Sequence, residues 1–318
     1  MKSLKQIALA LSLAATTAMS ACAHEPTPRA PRAEVGFVQI DPQLALRRMV
    51  LRNPHAQGTV LLLHGFPETL QAWQDIAPAL ARDYEVHAFD WPGFGLSSRP
   101  SAGVFGYAPA DYARVLKAYI DKSGIDPSAL TIYATDIGAL PALLAALEDP
   151  GIARTIIVGD FAPLDRPGYM YESLRMLKDP ATSTAARAYL NQNRDDILEN
   201  IFGRGLPPEA QFDVSRGLKD DMARGWSHGG MTSADAFYHY YAKFTRDQKY
   251  FEAHLDRLAT PVRIVWGDKD LYIDKQMGIE LAAKAHAEIT VLPGIGHFPH
   301  LQAPDRTIAE IRSTLQKP

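Results

Sequence analysis

Five consecutive residues, Ala134-Thr135-Asp136-Ile137-Gly138, place an acidic side chain between small ones. They come directly after an aliphatic and β-branched run, Leu130-Thr131-Ile132-Tyr133, and open a helical pattern over 138–148. A nucleophile on such a strand-to-helix elbow is exposed above a sheet, and small residues at 134 and 138 let neighbouring backbone approach closely. Aspartate is also a favoured helix N-cap, so the elbow takes its meaning from two further motifs. His64-Gly65-Phe66-Pro67 follows the run Thr59-Val60-Leu61-Leu62-Leu63, where the amides of Phe66 and Ile137 can together form an oxyanion hole. Pro293-Gly294-Ile295-Gly296-His297-Phe298 puts His297 on a glycine-flanked loop after the last strand pattern, as a candidate general base. His64 itself reads as a structural hydrogen-bonding residue. A carboxylate can displace an epoxide oxygen or a halide at saturated carbon, giving an ester that histidine-activated water hydrolyses.

These residues need a scaffold that brings three loops together. Six short runs have the character of buried parallel strands: 59–63, 86–89, 130–133, 155–158, 262–266 and 289–292. Amphipathic helical stretches near 71–82, 110–122, 138–148, 276–286 and 305–316 alternate with them, which predicts an α/β fold with a mostly parallel sheet and helices on both faces. The rhythm breaks between about Leu164 and Lys249, where helical periods are separated by Gly203-Arg204-Gly205-Leu206-Pro207-Pro208 and Gly229-Gly230. This segment is predicted to be a helical cap over the carboxyl ends of the strands, where open α/β sheets bind ligands. The expected organisation is core over 36–163, cap over 164–249 and core again over 250–318.

From residue 36 onward the chain resembles the α/β-hydrolase superfamily, and within it the aspartate-nucleophile branch of epoxide hydrolases, haloalkane dehalogenases and fluoroacetate dehalogenases. Asp90-Trp91-Pro92-Gly93-Phe94-Gly95-Leu96-Ser97 is similar to a structural turn of these enzymes, and Trp73 follows the His-Gly-Phe-Pro-Glu-Thr run as it does there. The resemblance implies an acidic partner for His297 at one of two places. Asp160, 24 positions after Asp136 (160 − 136), matches the acid that follows the sixth strand in some dehalogenases; Asp270 occupies the more widespread position after the next strand. Both stand open, since either orients and charges the imidazole equally well. In Phe237-Tyr238-His239-Tyr240-Tyr241-Ala242, Tyr241 aligns with the cap tyrosine that protonates the opening oxygen in epoxide hydrolases, with Tyr240 beside it and Tyr189 near a second donor position.

Haloalkane dehalogenases generally carry tryptophan after the nucleophile, where this chain has Ile137, and asparagine where it has Phe66. Fluoroacetate dehalogenases carry arginines where Ile137 and Leu140 stand. The resemblance therefore favours epoxide hydrolysis, with a dehalogenase as the alternative and a non-catalytic binding lipoprotein as a reading of another class. No cofactor is expected: there is no His-Glu-x-x-His pattern and no glycine-rich phosphate loop.

With 47% hydrophobic residues in 318, the chain can bury a large core, and a formal charge of −3 without basic runs argues against nucleic acid as a partner. A small-molecule substrate is expected. Residues 1–22 read as a secretory signal: Lys2 and Lys5, an apolar stretch from Ile7 to Met19, then Met19-Ser20-Ala21-Cys22, similar to a bacterial lipobox. Cys22 is the only cysteine; it is either lipidated or part of an ordinary cleavage site. The proline-rich stretch over 23–35 is expected to be a tether, and the protein to be exported to the periplasm or envelope, touching membrane only through a lipid on Cys22.

Overall fold

The structure, a computed structural model, describes residues 32–315. The expected signal, Cys22 and most of the tether lie outside the described residues. Eight strands form one sheet: β1 (Glu34–Asp41), β2 (Leu44–Leu51), β3 (Thr59–Leu63), β4 (Glu85–Phe89), β5 (Leu130–Thr135), β6 (Thr155–Gly159), β7 (Val262–Gly267) and β8 (Glu288–Leu292), in the spatial order β1-β2-β4-β3-β5-β6-β7-β8. The β1–β2 and β2–β4 pairs are antiparallel and all others parallel. The helices are α1 (Ala77–Leu80), α2 (Pro109–Ser123), α3 (Ala139–Glu148), α4 (Glu172–Lys178), α5 (Ser183–Gln192), α6 (Arg194–Asn200), α7 (Arg216–Gly225), α8 (Ser233–Ala242), α9 (Phe244–Ala253), α10 (Gln276–Ala285), α11 (Pro299–Gln302) and α12 (Pro304–Leu315).

The six strands read from sequence are β3 to β8; β8, expected to be buried, is an edge strand whose residues alternate between exposed and half-buried up to Leu292. Their alternate side chains feed two cores: Leu61, Leu63, Ile132 and Ile156 face one side of the sheet, while Val60, Leu62, Tyr133 and Ile157 face the other. Two strands escaped the pattern. On β1 at the sheet edge, Val35 and Phe37 point outward, 56% and 61% exposed. On β2 an Arg47-Arg48 pair interrupts the apolar run, yet Arg47 is buried. Its charge is matched by Asp90 at 2.5 Å and Asp221 at 2.5 Å, so the strand closes around an ion cluster. The tether expected over 23–35 thus ends early, because Glu34 and Val35 already belong to β1.

The helix expected over 71–82 is broken into a 3-10 turn, Leu70–Trp73, and α1. Pro78 is the cause: it lacks the N–H that the carbonyl four residues earlier would need, and its ring crowds that carbonyl. The other four helical stretches stand as α2, α3, α10 and α12. Helix α2 stops at Gly124, whose φ of +64° forms a left-handed cap.

Between β6 and β7 the chain forms α4 to α9, so the helical segment is where it was expected. Its boundary at 249 falls inside α9, which runs to Ala253 and packs on α2 and α3 of the core. Helix α8 starts with a capping box: Thr232 Oγ1 accepts the Asp235 N–H, and Asp235 accepts the Thr232 N–H. The segment is fastened to the core from below. Asp221 of α7 takes both terminal nitrogens of Arg47, and Thr69 donates to it at 2.7 Å. Arg99 donates to the carbonyls of Gly95, Gly225 and Met231. At that seam a Cβ on Gly225 would stand 2.7 Å from the Gly95 Cα, so the close approach needs glycine.

Candidate active site

Asp136 directly follows β5 with φ +47° and starts a 3-10 turn, Asp136–Gly138, that runs into α3. A left-handed backbone at a non-glycine residue costs on the order of 1–3 kcal/mol and persists only where the surroundings enforce it. They do so here. A Cβ on Gly65 would come within 2.6 Å of the Asp136 Cβ, so the loop after β3 lies directly against the elbow. From that loop the Phe66 N–H donates to Asp136 Oδ1 at 2.7 Å. The Ile137 N–H is among the first of the turn, which have no preceding carbonyl of the helix to bond. Of the two amides expected to make an oxyanion hole, that of Phe66 meets the Asp136 carboxylate, and that of Ile137 is the next N–H along the chain.

Oδ2 of the same carboxylate faces His297, whose Nε2 is 3.4 Å away. The other ring nitrogen, Nδ1, is 2.8 Å from Asp270 Oδ2. Asp270 sits just past β7 with a fully buried side chain, and its Oδ1 accepts the N–H groups of Tyr272 and Ile273. Burial by itself pushes the His297 pKa down, but the carboxylates of Asp270 and Asp136 outweigh it and hold the pKa well above the usual histidine value. Of the two acids left open by the sequence, Asp270 holds the histidine. Asp160 lies beside them without a hydrogen bond to His297: its Oδ1 accepts the Gly267 N–H at 2.9 Å.

Tyr241, in α8, is buried, and among the described residues its hydroxyl has no hydrogen-bond partner; it lines a chamber large enough for one water, together with Asp136, Ile137 and Leu140. Burial, then the nearby Asp136 charge, raise its pKa well above 10, so it stays a neutral O–H donor. Tyr240 lines the same small chamber, and its hydroxyl donates to the Ile137 carbonyl at 3.2 Å, bracing the elbow; neither tyrosine lines the main cavity. Tyr189 lies at the rim of that cavity, 54% exposed, away from the reacting end. His64 is structural, as read: Nδ1 meets the Gly65 carbonyl at 2.8 Å and Nε2 accepts the Trp91 N–H.

The main cavity has a volume of about 460 Å³ and reaches from the α4–α6 surface down to Asp136 and His297. Its walls are chiefly apolar. Phe66 stacks on Phe237 of α8 at 4.2 Å between ring centroids, and the Tyr272 ring meets His297 edge-on at 5.0 Å. One pair of functional consequence was missed. Glu68 takes the Gly65 N–H on Oε2 at 2.9 Å and His300 Nε2 on Oε1 at 2.6 Å, with both side chains fully buried. It ties the Phe66 loop to the His297 loop. The signal was present in the spacing, three residues past Gly65 and three past His297, but neither motif names it.

A mostly parallel sheet capped by helices, with an acid–base pair beside a strand-to-helix elbow, has the architecture of an α/β hydrolase. The sequence profile of the alpha/beta hydrolase family matches residues 60–310, and the chain belongs to that family. Among its relatives, haloalkane dehalogenase 2 of Mycobacterium tuberculosis is 28% identical over 268 residues, covering 79% of this chain and 86% of that protein. Epoxide hydrolase 2 of Caenorhabditis elegans is 23% identical over 286 residues, covering 84% and 76%. In fold, the chain is similar to the crystal structure of Cfl2 from Burkholderia cenocepacia, with a TM-score of 0.74 at 21% identity, covering 91% of this chain and 98% of that one.

Proposed function

We propose that this protein is an exported epoxide hydrolase that works through an ester on Asp136. The observation that carries the reading is the division of labour on one carboxylate. Oδ1 is held by the Phe66 amide, while Oδ2 is left facing His297, with a free tyrosine hydroxyl across the chamber. In the first half, Oδ2 attacks an epoxide carbon, the carbon–oxygen bond breaks, and Tyr241 gives its proton to the departing oxygen. In the second half, His297 Nε2 takes a proton from water, whose oxygen adds to the ester carbonyl. The oxyanion on Oδ1 then rests between the Phe66 and Ile137 amides, a contribution of about 10²–10³ in rate per donor. Collapse frees the diol and the Asp136 carboxylate, and the proton held by His297 restores Tyr241.

Electrostatics orders the two halves. In the free enzyme Asp136 helps hold the imidazolium proton. Once esterified, Asp136 carries no charge, that support is gone, and His297 becomes free to act as a base. Ester hydrolysis should therefore fall as pH drops through the His297 pKa of the intermediate, which lies below that of the free enzyme.

Similarity to a haloalkane dehalogenase supports a second reading, displacement of halide by the same carboxylate. Against it stands Ile137, which offers no ring N–H beside Asp136. A His297→Gln variant separates them by mass: an epoxide adds its whole mass to Asp136, and an alkyl halide adds only its alkyl group. Wild-type turnover by Asp136→Ala would overturn both.

A further inference from the structure

Asp160 is the acid that His297 does not touch, yet its surroundings are too particular for a loop cap. Its side chain is fully buried, at a left-handed φ of +52°. Behind it Gly159 leaves room for the Val265 carbonyl, which a Cβ would meet at 1.8 Å. Oδ1 accepts the Gly267 N–H; Oδ2 finds no donor. One oxygen of Asp160, one of Asp270 and a ring nitrogen of His297 all lie within 4.8 Å of one another.

We propose that Asp160 is a neutral carboxylic acid whose O–H is donated to the Asp270 carboxylate, making it a positioning residue and a reserve acid for His297. This rests on the roles given above to Asp270 and His297. Two carboxylates this close in an interior cannot both ionise against a single imidazolium. As an ionised acceptor, Oδ2 is buried with nothing to bond; as a carboxylic acid, Asp160 has Asp270 beside it as a side-chain hydrogen-bond partner. The titratable groups that face Asp160 are Asp270, His297 and, from β5, Tyr133. Burial and then the Asp270 charge push the Asp160 carboxyl well above the usual range, against the pull of His297 and of the Gly267 amide. The charge behind His297 is then one carboxylate, fixed in place by its protonated neighbour.

A reserve follows from the same geometry. If Asp270 is replaced by Asn, the charge that kept Asp160 neutral disappears. Asp160 can then release its proton to solvent, and its carboxylate takes over the charge that faces the His297 imidazolium.

The test follows the His297 ring nitrogens by NMR across pH in the full chain and in Asp160→Asn, Asp270→Asn and the double variant. In Asp160→Asn an amide N–H replaces the O–H, so the His297 titration should stay within about 0.5 pH unit of wild type. In Asp270→Asn it should fall, and in the double variant it should fall by at least about one further unit, with ester hydrolysis at least about tenfold slower than in Asp270→Asn. A drop of about one unit or more in Asp160→Asn would mean that Asp160 is charged and would overturn the proposal. Identical titrations in Asp270→Asn and the double variant would overturn the reserve role. Should the variants fold poorly, the wild-type infrared spectrum decides: a protonated-carboxyl band that shifts in heavy water supports the proposal, and its absence overturns it. Failure of any substrate to label Asp136 would sink the epoxide reading alone, because the titrations and the infrared band need no turnover.

Discussion

At Asp136 the two carboxylate oxygens have unlike surroundings, and that asymmetry sets the direction of the chemistry. Oδ1, held by an amide, becomes the carbonyl oxygen of the ester, and Oδ2, unheld, becomes the bridging one. Tyr241 gives up its proton in the first half of this cycle and regains it only after the ester is gone. Tyr241→Phe should therefore slow formation of the Asp136 adduct, by about 10²-fold for loss of one general acid, and leave the breakdown rate unchanged. Rapid-quench mass spectrometry on the His297→Gln background measures formation alone, and an unaltered formation rate would remove Tyr241 from the mechanism. Tyr240 offers the contrast: it lines the same small chamber, but its hydroxyl is already bonded to the Ile137 carbonyl. Both tyrosines stand side by side in sequence, and helix α8 rotates them by about 100° relative to each other. No reading of adjacent residue types distinguishes them until the helix is docked.

Among the elements, the one that joins two parts of the molecule is β2, through Arg47. Its guanidinium is buried between Asp90 of the core and Asp221 of α7. Removing one member of such a cluster leaves an uncompensated buried charge, at a cost of about 3–5 kcal/mol. Arg47→Met should lower the stability measured by urea unfolding by about that amount. The loss should exceed that from Arg263→Met, because the Arg263 pairing with Glu288 is exposed. A smaller effect for Arg47 would mean that the helices over the site are held by apolar packing alone. The sequence pattern missed β2 for the same reason that the strand matters: two adjacent arginines read as a surface segment, and only the carboxylates brought from 43 and 174 residues away make burial of one of them tolerable.

For the molecule as a whole, stability and location carry the remaining expectations. Burial alone would raise the Glu68 pKa, but His300 more than offsets it and holds the carboxyl below its ordinary value. A group with a depressed folded pKa contributes stability that is fully present above its unfolded value, near 4.5, and is lost as pH falls through the folded value. Glu68→Gln should therefore narrow the gap between neutral and acid stability, read as Tm against pH. An unchanged acid limb would show that the pair does not contribute to it. Export is tested by location: the protein should fractionate with the envelope and take up labelled fatty acid at Cys22, and a Cys22→Ser chain that still labels would end the lipid proposal.

What the residue order determined by itself is local. Five buried strands show as continuous aliphatic runs because parallel strands are covered on both faces, while β8 at the sheet edge carries a similar run half-exposed; the elbow, the His-Gly-Phe-Pro turn and the His297 loop each announce themselves within a few positions. Three choices belonged to the tertiary structure alone. Asp270 rather than Asp160 meets His297, because that depends on which of two loops, 110 residues apart (270 − 160), swings under the imidazole. Tyr240 rather than Tyr241 gives its hydroxyl to the Ile137 carbonyl, because helix rotation is set by packing. Glu68 finds His300 across 232 residues because the folded sheet brings both loops to the same end. Patterns of residue type report what a segment does with its own neighbours; contacts between distant segments depend on angles and offsets of docking that accumulate over the whole chain and leave no local mark.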